Sequence, residues 1–272
     1  MDNPIRNLKV VLVIGSAPDA LRGRALPKSM FYSLVTINNA WRVREDWDVL
    51  VHAGDFPAER RPDLLNSKSK RVVTPDDYVP AQNKFGGFVF AGPTMAFTTA
   101  YWVLAEFRPD LLLFLGCDMS YDQTRGQTHF YGNGTADPLR DDKTLRNLEA
   151  KSARLFVHAL RQRALCLNLS EMPSSRLVFP RFSERELGSL NPQTVLDWTE
   201  RFARGVDIEA AAKADLMEQN LGYFVPDGRY WRHLDEFDEH ELAKVDRLWL
   251  AAVGNLLAKH SDHDRSVSTL MW

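Results

Sequence analysis

Residues 110–132, DLLLFLGCDMSYDQTRGQTHFYG, are the stretch on which the fold turns. Leu111 to Leu115 form an unbroken apolar run that stops at Gly116, the pattern of a strand buried on both faces in a parallel sheet flanked by helices. Polar chemistry begins where the run ends, with Cys117, Asp118, Tyr121, Asp122, His129 and Tyr131 spaced by Gly126, Gly132 and Gly134. Ligands of open α/β sheets bind outside the carboxyl ends of the strands, so this passage from strand to loop is a candidate site.

Working outward, residues 8–14 (LKVVLVI) make a first strand that breaks at Gly15-Ser16-Ala17-Pro18-Asp19. Such a small-residue turn lets a phosphate approach the backbone if a helix N-terminus follows, and it is equally an ordinary strand-to-helix turn. It is neither G-x-G-x-x-G nor a P-loop, since one glycine falls in the window and the G-K-[ST] ending is missing. Residues 31–37 predict a second strand ending at Asn38-Asn39, whose paired amides can read a base or ribose or simply form a turn. Residues 47–52 predict a third, ending at Ala53-Gly54-Asp55, and residues 70–73 a fourth. Residues 88–90 are read as a further short strand leading into Gly92-Pro93-Thr94, with Pro93 opening a helix that runs to Phe107.

Residues 142–163 carry an apolar stripe with helical spacing, and residues 165–169 (LCLNL) give another strand. Strands alternating with helices through residue 170 predict an α/β fold, a Rossmann-like doubly wound and mostly parallel sheet. Residues 1–190 are read as that domain. Residues 191–272 are read as a helical appendage or lid, with helices over 192–202, 208–216 and 236–259 and an aromatic segment between them containing Phe224, Tyr230 and Trp231. Those rings can stack on a sugar or dock the appendage.

Composition narrows the function. The chain has 272 residues, is 44% apolar and 26% charged, and carries a formal charge of −2, without the basic excess of a nucleic-acid binder. Cys117 and Cys166 both fall in or beside apolar strands, so a disulfide framework is not expected and a cytoplasmic location is. No run approaches the roughly 20 apolar residues of a membrane span. Asp46-Trp47-Asp48 has the D-x-D form of a metal site but precedes its strand, on the wrong edge of the sheet, so no metal is expected.

Taken in order, these strand ends resemble the bacterial sialyltransferases of the Campylobacter type, glycosyltransferase family 42, over roughly residues 8–180. The family's G-N-G-P-S turn is similar to Gly15-Ser16-Ala17-Pro18-Asp19, its C-N-Q-F element to Ile37-Asn38-Asn39-Ala40, and its T-S-G turn to Ala91-Gly92-Pro93-Thr94. Its G-I-D-F-Y strand end resembles Gly116-Cys117-Asp118-Met119-Ser120-Tyr121, and its S-H-Y-I-G-H segment resembles Thr128-His129-Phe130-Tyr131-Gly132. Ser16 and Ala17 replace the family's Asn and Gly. One His stands where the family has two, and the second His, the family's base, aligns with Asn133.

The resemblance implies a GT-A-like variant of the fold and transfer of a nonulosonic acid from its CMP ester to a glycan or glycolipid hydroxyl. That transfer is inverting and uses no cofactor beyond the CMP-sugar donor. Although the family's base aligns with Asn133, the base role is assigned here to His129 because no other His lies in this region, with Tyr121 and Tyr131 as leaving-group donors. The resemblance makes Gly15, Ser16, Ala17, Pro18, Asn38, Asn39, Gly54, Asp55, Gly92, Pro93, Thr94, Gly116 and Asp118 nucleotide-binding candidates. Arg176 is the candidate partner of the donor carboxylate, and Asp118 either orients its loop or touches the ribose. A homo-oligomer and peripheral contact with the inner membrane follow by analogy. The alternatives are a Kdo transferase using CMP-Kdo, a related Rossmann-like pyrophosphokinase needing Mg²⁺, and a non-catalytic nucleotide-binding relative.

Overall fold

A computed structural model describes residues 8–63, 69–120, 127–132 and 141–261. Its centre is a 6-stranded sheet in the order β4-β3-β2-β1-β5-β6, with every pair parallel. The strands are β1 (Val10–Ile14), β2 (Ser33–Ile37), β3 (Val49–Val51), β4 (Arg71–Val73), β5 (Leu111–Leu115) and β6 (Leu165–Asn168). β1 and β5 are buried along their whole length, as expected of continuous apolar runs covered on both faces. From β1 the chain winds outward to β4, returns to β5 on the other side of β1, and continues to β6. The crevice between the carboxyl ends of β1 and β5 is therefore the topological switch point of the sheet.

The helices are α1 (Pro75–Asn83), α2 (Phe88–Ala91), α3 (Met95–Glu106), α4 (Leu148–Arg161), α5 (Pro192–Gly205), α6 (Ile208–Leu221) and α7 (Glu239–Ser261). Three expectations need correction. Residues 88–90 are not a strand but most of α2, a single buried turn held between Gly87 and Gly92, both at positive φ. Pro93 does not open α3, because Thr94 is its N-cap and accepts a hydrogen bond from the Phe97 amide. The stripe over residues 142–163 is broken: a 3-10 turn, Lys143–Leu145, is followed by a fresh start at Asn147, whose side chain caps α4. Unanticipated was α1, which begins with a Thr74–Asp77 capping box and Pro75 in its first turn.

The last three helices share the hydrophobic core of the sheet. Two buried ion pairs tie them to α4. Lys151 meets Asp246 of α7 at 2.9 Å. Arg154 donates from Nε and Nη2 to both oxygens of Glu218 on α6, at 2.8 and 2.7 Å. The same guanidinium donates to the Tyr101 hydroxyl and the Phe85 carbonyl, while the Trp249 indole donates to Glu218. Three donors converge on the two oxygens of Glu218, which offsets the cost of burying its charge.

Arg154→Met leaves the Glu218 carboxylate buried without its cation, so unfolding in urea should show a loss of about 3–5 kcal/mol with an unchanged slope. The double variant Arg154→Met, Glu218→Met should recover much of that loss. A single variant as stable as the parent would show that the pair holds nothing together.

Candidate functional site

The turns after β1 and β5 are built into each other. The Gly15 amide donates to the Leu115 carbonyl at 2.8 Å and the Ala17 amide to the Gly116 carbonyl at 3.0 Å. A Cβ on Gly15 would lie 2.3 Å from the Gly116 carbonyl oxygen, and one on Gly116, at φ +69, would lie 2.6 Å from the Ala20 Cβ. The strand-end glycines are thus demanded by close approach of two backbones. Pro18 then starts a 3-10 helix, Pro18–Ala25, rather than an α-helix.

This seam alters what the turn can offer a ligand. The amides of Gly15 and Ala17 are committed to β5 and Pro18 has none, whereas the Ser16 amide has no partner among the described residues. Asp19 is turned inward, accepting from the Glu171 amide at 2.9 Å and pairing with Arg22 at 3.3 Å. Asn38, at φ 49, uses its side-chain oxygen to accept from the Ala53 amide, tying the end of β2 to the end of β3. Its neighbour Asn39 is buried, and its Oδ1 has no hydrogen-bond partner among the described residues, an unsatisfied acceptor at a strand end.

His129 sits on the switch point. Its segment forms a tight reverse turn closed by hydrogen bonds between His129 and Gly132, and the Phe130 amide donates to the Ser16 carbonyl at 2.9 Å. The imidazole is 6% exposed, has Nδ1 2.8 Å from the Thr128 hydroxyl, and stacks on the Tyr131 ring with centroids 5.0 Å apart. Burial holds its pKa below the ordinary histidine value, so the neutral form, the one able to accept a proton, is favoured. Tyr131 is exposed. Tyr121 lies outside the described residues.

Asp118 is buried at the end of β5. Ser170 donates to its Oδ2 at 2.7 Å and the Arg176 amide to its backbone carbonyl at 2.9 Å. Burial raises its pKa, and hydrogen bonds from Ser170, Ser175 and Asn168 oppose that rise. The carboxylate therefore fastens the loop after β6 to the end of β5, a task for which nothing in the local sequence singles out Asn168 or Ser170. The guanidinium of Arg176 points to Glu149 of α4, 2.7 Å away, and Arg176 borders a cavity of about 630 Å³ lined by both charged and apolar side chains. Cys117 and Cys166 are free, buried thiols whose pKa values are raised by burial. Asp48 of the D-x-D sequence pairs with Lys28 and accepts from the Leu34 amide, at the amino edge of the sheet.

The remaining candidates gather elsewhere on the carboxyl edge. Gly54, Asp55 and Pro93 line a cavity of about 820 Å³ together with Tyr230 and Trp231. Phe224 borders a different cavity, beside Arg154 and His158. The Thr94 hydroxyl contacts the Met119 sulfur at 3.4 Å, so the Gly92-Pro93-Thr94 turn stands between this cavity and the β5 loop. Sequence reasoning missed Asp76 and Tyr78, which line the same cavity from α1, although Thr74-Pro75-Asp76-Asp77 is a readable helix start. Burial pushes the Tyr78 phenol up to about 12, with a backbone hydrogen bond at Gly54 acting against it.

Among the described residues, no group of three His, Cys, Asp or Glu side chains is placed to hold a metal ion, and no helix is long and apolar enough to cross a membrane. Comparison of the chain with protein-family models, with curated proteins and with solved structures finds no match.

Gly15→Ala forces a methyl group against the Gly116 carbonyl. It should cost about 1–3 kcal/mol in urea unfolding, the usual penalty for overpacking. Unchanged stability would mean that the two turns are not in contact in solution.

Proposed function

We propose that this chain is a glycosyltransferase that moves a nonulosonic acid from its CMP ester to a glycan hydroxyl, with His129 as general base. The observation that carries the reading is the seat of His129: a neutral, buried imidazole hung on the β1 turn at the topological switch point, where open α/β sheets bind nucleotides. The Asn39 Oδ1 and the Ser16 amide, each without a partner among the described residues, support it as nucleotide contacts at the neighbouring ends of β2 and β1. The ordered resemblance of the strand ends to family 42 supplies the CMP ester and the nonulosonate.

In this reaction the acceptor oxygen attacks the anomeric carbon of the donor, the carbon–oxygen bond to phosphate breaks with its electron pair leaving on CMP, and the acceptor proton passes to His129. Tyr131, against the imidazole face, and Tyr121 are the donors to the departing phosphate. Arg176 receives the donor carboxylate by exchanging Glu149 for it. That half-exposed pair is of the kind that contributes about 0–1 kcal/mol, so the exchange is cheap. Sialic acid and Kdo are both 2-keto acids carried as CMP esters, and both donors belong in the assay.

Thermal unfolding with CMP, CDP, UMP, AMP and GTP, each in EDTA and in Mg²⁺, tests the donor class. CMP in EDTA at about 100 times its Kd should add roughly 2.7 kcal/mol. Stabilisation confined to a purine triphosphate with Mg²⁺, or none by any nucleotide, overturns the proposal. His129→Gln should keep the CMP shift and lose turnover by about 10²–10⁴-fold.

Because burial lowers the pKa of His129, the base is already unprotonated at neutral pH, and kcat/KM should fall only as pH drops below about 6.5. An acid limb centred above pH 7 would remove His129 from the role.

A further inference from the structure

The cavity of about 820 Å³ lies at the end of β3, where α1, the start of α3 and residues 227–231 converge. Its wall from the C-terminal region is firmly placed. The Asn83 amide donates to the Pro226 carbonyl at 2.8 Å, and Gly228, at φ +74, lies so close to α1 that an added Cβ would be 2.9 Å from Val79 Cγ2. The Tyr230 hydroxyl donates to buried Asp142 at 2.9 Å, and its ring stacks on Phe88 with centroids 6.3 Å apart. Trp231 stands edge-on to Tyr230 and is 57% exposed.

The charges of the lining are lopsided. Among the described lining residues, Asp55, Asp76 and Asp227 are set against one cation, Arg229, whose Nε is 4.0 Å from Asp227. An anion such as a nucleotide phosphate or a nonulosonate carboxylate is repelled there. The cavity also has an unsatisfied atom: Thr98, 1% exposed, lines it, and its Oγ1 has no hydrogen-bond partner among the described residues. A buried hydroxyl without a partner costs about 1–3 kcal/mol, which a ligand's hydroxyl recovers. Acceptor-only carboxylates, a spare hydroxyl and an exposed indole suit a ligand with several O–H donors and a flat C–H face. A nucleobase needs matched donors and acceptors, and no Asn or Gln is among the described residues lining the cavity.

We infer that this cavity binds an uncharged pyranose residue of an oligosaccharide, stacked on Trp231 and hydrogen-bonded to Asp76, Asp55 and Thr98. As the identity of the acceptor, this rests on the transferase reading; as a binding site, it stands without it. The Gly92-Pro93-Thr94 turn then separates two ligands. The anionic donor lies toward the β5 loop and the uncharged saccharide toward β3, so Gly54, Asp55 and Pro93 serve the saccharide instead of the nucleotide.

The test is binding of the full chain to an array of neutral and acidic oligosaccharides, followed by saturation-transfer NMR and calorimetry on the neutral glycans captured and on cytidine. Neutral glycans should bind without any nucleotide, and their acidic counterparts should not. Trp231→Ala should weaken binding by about tenfold, the loss of one stacking face. Asp76→Asn, an isosteric change on an exposed side of the cavity, should weaken it severalfold while the melting temperature stays that of the parent. Capture of no neutral glycan, affinity indifferent to both substitutions, or cytidine lost on Trp231→Ala overturns the inference. The CMP shift is read on the same proteins: glycan binding without it sinks the transferase reading alone, and the shift without glycan binding sinks this site alone.

Discussion

The Gly15 and Gly116 backbones occupy space that two side chains cannot share, and the position of the candidate site follows from that closeness. Parallel strands buried on both faces can carry polar groups only past their ends, and here the two central strands end against each other. Hydrogen bonds from Gly15 and Ala17 to β5 lock the turns together, and the Ser16 carbonyl left over becomes the peg for the His129 turn. The backbone of the His129 turn is thereby pinned to the β1 turn, while the imidazole itself is held by the Thr128 hydroxyl at Nδ1 and by the Tyr131 ring. The cost is that a turn of small residues, the usual sign of a phosphate cradle, has spent most of its donors on the fold.

Reading the chain succeeded where the signal was local. Val10–Ile14 and Leu111–Leu115 can be recognised one residue at a time, because strands covered on both faces need no partner sequence to be identified. Residues 88–90 failed because three apolar residues have no period; the flanking Gly87 and Gly92, both at positive φ, turn them into one helical turn in the core. α1 escaped because Pro75 and Pro80 break up any apolar period, although Thr74 and Asp77 form its capping box. The site shows the same division. His129 and Asp118 announce themselves by following a buried strand. The commitment of Arg176 to Glu149, and of Asp118 to Ser170, depends on elements far along the chain.

Charge divides the carboxyl edge into two compartments. Around the seam, nearby acids are occupied: Asp19 by Arg22 and the Glu171 amide, Asp118 by Ser170. Beyond the Gly92-Pro93-Thr94 turn, Asp55 and Asp76 stand open on a cavity wall. A protein that must keep an anionic donor from lodging where a neutral partner belongs gains discrimination from such an arrangement, since repulsion of the wrong ligand works without improving contacts to the right one.

The cluster around Arg154 bears on how the chain is made. Its guanidinium lies on α4, beside the sheet, yet the carboxylate it meets among the described residues belongs to α6, and the indole completing that carboxylate belongs to α7. A ribosome delivers α4 long before either. Until Glu218 emerges, closing the sheet around Arg154 means sealing in a lone charge, so the nascent sheet stays open on that flank and its apolar strands stay exposed. Closure of that flank therefore waits on α6 and α7, although the strands and α4 precede both in the chain.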